Sequence, residues 1–332
     1  MLCALLFALQ AKGQDESVDK QALVTRDDAE LVLPQHSNWR AFVYDRVSGE
    51  CWIAGWSYGP QRLGPRPPAG TIDVGDLELV AVGYTRDKTL GYTRDEMVVA
   101  AKEEQERFGH ESISVFEVDL YDKFVSDGVW ESKTTLRKRF DVDTVAKKAI
   151  EARRTIAGEL KAKLDAATFE VAKVHIEALD NHDGPVTVFL GIEDITSLFR
   201  GVLVVPTNGS APRFFPGSWV SSFAVSLGLV LVMASENDPS KINVIQRIDG
   251  RWVHQRTISL PKGAVLQSAH GTAGALFTVS GDETGVWKVS FYYDGVKRTE
   301  MSTPVEKMAF SQGAVYWLDG KTVNISYSTL WD

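Results

Sequence analysis

The chain has 332 residues, 44% hydrophobic and 24% charged, with a formal net charge of −8. That balance belongs to a folded chain, and Lys and Arg nowhere cluster into the positive surface that nucleic-acid recognition needs, which excludes nucleic acid as a partner. Two cysteines, Cys3 and Cys51, form no disulfide framework, and the length implies about two domains.

Residues 1–9 are an apolar run, too short to span a bilayer and long enough for the core of a signal peptide. Ala11 and Gly13 supply small residues before Gln14, so residues 1–13 are read as a signal peptide and the chain as exported: secreted, periplasmic or in the cell envelope. No integral membrane span is expected. Cys51, between Glu50 and Trp52, has no electropositive neighbour and is expected to be a packed thiol. Residues 40–45 and 51–56 are rich in aromatic and β-branched side chains and predict a hairpin over 38–58, turning at 46–49. Residues 59–70 carry four prolines, which fix φ and remove donors, and predict a semi-extended linker.

Residues 76–192 predict an α+β domain, two helices on an antiparallel sheet. A strand at 77–82 is followed by Thr93-Arg-Asp-Glu96, a capping box that predicts a helix through Phe108, ended by Gly109. Residues 113–120 alternate as a half-buried strand, with 129–140 pairing beside them. A second helix is predicted from a cap at Asp143 or Thr144 through Leu164, because Val145, Ala149, Ile150, Ile156, Ala157 and Leu160 recur at helical spacing. Its basic residues, among them Lys147, Lys148, Arg153 and Lys161, are interrupted by Glu151, Glu159 and Asp165, which makes a solvated face. Residues 171–179 and 186–192 predict a hairpin across Asp180-Asn-His-Asp-Gly-Pro185. Three potential ligands lie in that turn, Asp180, His182 and Asp183, but no further His or Cys is near, and Asn, Asp and Gly are what a turn requires. The tandem Gly83-Tyr-Thr-Arg-Asp87 and Gly91-Tyr-Thr-Arg-Asp95 has one glycine per copy, too few for a phosphate loop, and is read as structural.

Residues 193–332 form a β-repeat domain. Residues 226–232, 272–278 and 311–317 align as a small or polar pair, a glycine and four strand formers, with Gly228, Gly274 and Gly313 spaced 46 and 39 residues apart. Each copy is followed by an Asp-Gly turn, Asp249-Gly250, Asp294-Gly295 or Asp319-Gly320, whose residues tolerate the positive φ of a two-residue hairpin. The spacing resembles that of β-propeller blades, one four-stranded sheet per repeat. Three copies imply a partial propeller, with a β-sandwich as the alternative, and the 40–56 hairpin is expected to complete a blade with C-terminal strands. Residues 280–287, Ser-Gly-Asp-Glu-Thr-Gly-Val-Trp, resemble the Asp-box of sialidases and propeller lectins, with Gly285 one place late and Val286 where that motif has Thr. In that family the motif is a structural turn.

No nucleophile motif, metal set or cofactor site is found, and no catalytic residue is assigned. The expected function is therefore a non-catalytic interaction or scaffold protein that binds a protein partner or a glycan, or serves as a subunit of a larger envelope assembly. Unfinished sheets would leave edges for a partner strand. For a glycan, Trp252, Trp287, Tyr292 and Tyr293 are the candidate stacking residues, with blade packing as the competing role for the same rings. The alternative is a sialidase-like glycoside hydrolase drawing on Asp282, Glu283, Arg247, Arg251 and Arg256.

Overall fold

A computed structural model describes strands and helices between residues 29 and 327, together with the connections 74–77, 155–157, 167–168, 195–199, 207–212, 217–222, 235–240 and 249–250 and the single residues 229 and 260. Side chains are described for most of residues 74–260 and for Leu266.

The described chain is a succession of six antiparallel sheets, each a meander whose spatial order is its chain order. Sheet 1 comprises β1 (Ala29–Val32), β2 (Ala41–Asp45), β3 (Glu50–Ala54) and β4 (Pro65–Thr71). Sheet 2 comprises β5 (Glu78–Asp87), β6 (Arg94–Glu104), β7 (Glu111–Tyr121) and β8 (Glu131–Asp141). Two helices follow, α1 (Val142–Arg153) and α2 (Gly158–Ala166). Sheet 3 is β9 (Phe169–Ala178), β10 (Val186–Asp194), β11 (Arg200–Pro206) and β12 (Arg213–Pro216), and sheet 4 is β13 (Phe223–Ser226), β14 (Val230–Ala234), β15 (Lys241–Ile248) and β16 (Arg251–Ser259). Sheet 5 is β17 (Val265–His270), β18 (Ala275–Gly281), β19 (Trp287–Tyr293) and β20 (Val296–Thr303). Sheet 6 has three strands among the described residues, β21 (Met308–Ser311), β22 (Ala314–Asp319) and β23 (Thr322–Tyr327).

The sheets stack face to face, and this is written into their middle strands. In β10, Val188, Leu190 and Ile192 join a core shared with sheet 2, whereas Phe189 joins one shared with sheet 4. In β14, Val230 and Val232 face sheet 5 while Leu231 and Met233 face sheet 3. Successive strand residues point to opposite faces, so a strand covered on both sides must be apolar throughout. Glycines mark the closest approaches. A Cβ on Gly83 of β5 would lie 2.3 Å from the Ile176 carbonyl oxygen of β9, and one on Gly191 would lie 2.0 Å from that of Val220. The first strands are neighbours from sheet to sheet: β5 lies against β9, β13 against β17, β17 against β21, and β21 against β1. Lys173 of β9 reaches β13, donating to the Phe223 carbonyl at 2.7 Å.

Several expectations are corrected. Residues 94–104 are strand and not helix, because Val98, Val99, Ala100 and Ala101 are all fully buried. Four consecutive buried residues demand cover on both faces, and the β-branched pair suits a strand, which outweighs the capping-box signal. The α+β domain is likewise replaced. Residues 78–141 and 169–216 belong to two separate sheets, and the helices are an insertion between them. The single helix expected to reach Leu164 breaks at 155–157, where β-branched Thr155 and Ile156 precede Gly158 at φ +61°. Its cap is Asp141, whose Oδ1 accepts the Thr144 N–H at 2.7 Å; Asp143 is instead buried and accepts the Phe169 N–H at 2.8 Å.

In the proline-rich stretch, residues 65–71 form β4 in place of a linker, an edge strand of sheet 1 with register shifts at Trp52, and an edge tolerates missing donors; residues 59–64 lie outside the described residues. The 40–56 hairpin belongs to sheet 1 and pairs with no C-terminal strand, though sheet 1 is the neighbour of sheet 6 through β1 and β21. Six consecutive sheets also replace the partial propeller and the sandwich. The three aligned repeat segments do correspond, as β14, β18 and β22 are each the second strand of their sheet. Asp249 and Gly250 both have positive φ, +49° and +76°, and join β15 to β16 as the hairpin signal requires. Gly320, by contrast, follows a second strand, one hairpin earlier than its counterparts. The Asp180–Pro185 turn and the Cys51 side chain lie outside the described residues.

Candidate binding face

In an antiparallel meander the connection between second and third strands emerges at the same end as the link to the next sheet. That rule brings together the β10–β11 connection, residues 195–199, with α1, α2, residues 217–222 and the β14–β15 connection 235–240. The Ser218 N–H donates to the Ser235 carbonyl at 3.2 Å, which fixes two of these segments to each other.

Residues 195–199 form a tightly held loop. The Asp194 carboxylate, buried, accepts the Phe199 N–H at 2.5 Å, the Thr196 N–H at 3.1 Å and the Thr196 hydroxyl. The Ser197 N–H donates to the Asp194 carbonyl at 2.8 Å, and Ser197 itself sits at φ +55°, a left-handed conformation that L-residues adopt at a cost. The Ser197 hydroxyl donates to Glu193. From this clamp project Ile195, 88% exposed, and Leu198, 47% exposed. Large apolar side chains held out in water by a satisfied polar frame are ordered in advance of any contact they make.

A hollow lies on each side of the loop. One is a cleft of about 130 Å³ floored by Ile150, Phe199, Phe214 and Pro216, with Arg153, Arg200 and Glu236 around it. The other, about 370 Å³, is lined by Glu170, Glu193 and Asp194, where Glu170 and Glu193 are direct cross-strand partners. Among the described residues no group of three His, Cys, Asp or Glu side chains is placed to hold a metal ion.

The four aromatic residues singled out by sequence do not share this geometry. Trp252 is half-buried in β16, edge-on to Phe189 at 6.2 Å and to Phe215 at 5.9 Å, in the seam between sheets 3 and 4. It sits beside the Asp249-Gly250 turn, at the opposite end of the sheet from the loop. Trp287 opens β19 and Tyr292 and Tyr293 close it, and the side chains of all three lie outside the described residues. At about 3.3 Å per strand residue, the tryptophan and the tyrosine pair are roughly 17–20 Å apart along the backbone, too far for one sugar ring to touch both. Of the residues named for the hydrolase alternative, Arg247 and Arg251 flank the same turn and Arg256 lies farther along β16 opposite Val244, while Asp282 and Glu283 lie outside the described residues. Ile195, Leu198 and Arg200 were not singled out. Their signal was a bulky apolar pair inside the polar run Glu193-Asp-Ile-Thr-Ser-Leu-Phe199.

Six consecutive meander sheets, with the first lying against the last, define a β-propeller-type architecture. The sequence matches no protein-family model and no curated protein. Among solved structures it is similar to the fungal lectin of Aleuria aurantia, a six-bladed β-propeller, at 11% identity and a TM-score of 0.46, covering 92% of each chain. It is also similar to a gluconolactonase from Xanthomonas campestris at 14% identity and a TM-score of 0.43, covering 91% of this chain and 90% of that one. A streptogramin B lyase gives 10% identity and a TM-score of 0.39, covering 92% and 95%.

Proposed function

We propose that this protein is a non-catalytic interaction module that binds a protein partner through the face carrying α1, α2 and residues 195–199. The observation that supports it is the display of Ile195 and Leu198 from a loop locked by the buried Asp194 carboxylate. Exposed apolar groups on a rigid support are what a partner can desolvate at little ordering cost. The proposal differs from an edge-strand mode of binding: the anchor is a side-chain surface at one end of the stacked sheets. Export is part of the same proposal and rests on the apolar residues 1–9; cell fractionation with N-terminal sequencing of the mature chain tests it separately.

The direct test is site-specific photo-crosslinking in the source cell. A crosslinker replacing Ile195 is expected to give a discrete heavier species, and one replacing Arg251, exposed at the opposite end, is expected to give none. A chain that stays free with the probe at Ile195, or crosslinks equally from both ends, would remove this reading.

A further inference from the structure

We propose that the cleft between α1 and residues 197–200 receives one bulky apolar side chain from an acidic segment of a partner protein, with Arg153 and Arg200 pairing the carboxylates beside it. This rests on the interaction reading above and adds the chemistry of the partner.

The volume, about 130 Å³, admits a single large side chain; small-molecule pockets run to roughly 300–1,000 Å³. The floor is preformed. Ile150, Phe199 and Phe214 are buried members of the core shared by sheets 2 and 3, so an entering group meets a surface that has no need to rearrange. The Gly217 N–H donates to the Arg200 carbonyl at 3.1 Å, which fixes the backbone from which that guanidinium extends.

Arg153 closes α1 and Arg200 opens β11, where Glu193 is its cross-strand neighbour. Lys161 is paired with Glu151 and Asp165, and Lys163 with Glu159. Arg153 and Arg200 have no carboxylate partner among the described residues. A guanidinium beside an apolar floor is suited to a carboxylate, because its planar fork holds both oxygens and it is weakly hydrated. Glu236 also lines the cleft and repels acid near it, so the carboxylates of an entering segment are favoured beside the arginines. The apolar surface does not end at the floor. Leu198, itself part of the lining and 47% exposed, carries it outward, which a free carboxylic acid would leave uncovered and a polypeptide segment would cover.

Selection of a displayed random dodecapeptide library on the intact protein tests this. The expected consensus is one large aliphatic or aromatic residue with Asp or Glu within three positions on one side. A synthetic peptide of that consensus should bind R153E/R200E at least about tenfold more weakly, the loss of charge-assisted hydrogen bonds. R200K, which keeps charge and loses the fork, should bind with intermediate affinity, E236Q should bind more tightly, and added salt should weaken wild type. Far-UV circular dichroism of each variant confirms the fold. Peptides without acidic residues, no enrichment, or binding indifferent to R153E/R200E would overturn the cleft assignment. Peptides that ignore R153E/R200E but lose binding in I195S/L198S would overturn the cleft and leave the face as an interaction surface; failure of the Ile195 crosslink as well would remove both.

Discussion

The Asp194 carboxylate accepts the backbone N–H of Phe199 at 2.5 Å, five residues along the chain, and in doing so closes the loop that carries Ile195 and Leu198. Because Asp194 is buried, its oxygens depend on their three donors more than on water for their hydrogen bonds.

Asp194→Ala removes all three acceptor contacts together. It is expected to cost about 2–4 kcal/mol of stability by urea unfolding. Amide exchange at Thr196 and Phe199 should accelerate more than exchange in β14, because the loop opens before the stacked cores do. Unchanged protection at those two amides would show that the turn holds itself.

Gly83→Ala is a test of sheet stacking. A methyl group there would sit 2.3 Å from the Ile176 carbonyl oxygen, a backbone atom that cannot swing aside, so β5 and β9 must separate. An expected loss of about 2–3 kcal/mol follows from overpacking. Gly158→Ala, with open space around it and φ +61°, should cost only the backbone strain, about 1 kcal/mol.

Trp252→Ala should lower stability by about 2–3 kcal/mol, since it removes a half-buried ring edge-on to Phe189 and Phe215. Trp252→Phe should restore part of that loss. If stability is unaffected while glycan binding on an array disappears, the ring is a ligand platform and not a packing element.

Asp238 is held below its ordinary value of 3.8, first by the Ser240 hydroxyl and then by the Ser240 N–H and Lys241. A depressed carboxylate contributes stability above its unfolded pKa, and that contribution fades as pH falls through the folded pKa. Ser240→Ala should therefore raise the Asp238 midpoint toward 3.8 in an NMR titration. An unmoved midpoint would assign the shift to the backbone N–H of residue 240 and to Lys241 instead.

The legible parts of the sequence were those set by a few adjacent residues. Asp249-Gly250 announced its hairpin because both φ values depend on local sterics, and the glycine-marked segments located the second strands of sheets 4, 5 and 6. In sheets 1–3 most strands are legible as well, and the hidden ones, β6 and β4, are hidden for reasons of context. The Val98–Ala101 stretch lacks alternation because neighbours cover both its faces, and Pro65, Pro67 and Pro68 fit a strand only because that strand is an edge. The candidate face was less legible still. Arg153 reads as one of several solvated cations, and only the fold reveals that it lines one cleft with Phe214 and Glu236, both more than sixty positions farther along the chain. Nothing in Asp194 alone signals which amides its carboxylate will find.

The contact of β1 with β21 has a consequence for how the chain is made. During synthesis the earliest-emerging sheet must wait for the last before its free flank is covered, while sheets 2 to 5 can stack in order as they leave the ribosome. Until Met308–Ser311 arrives, the nascent protein is an open arc with two sticky ends. Two such arcs can meet each other as readily as themselves, so slow translation of residues 308–327, which carry sheet 6, should favour entangled dimers over monomers.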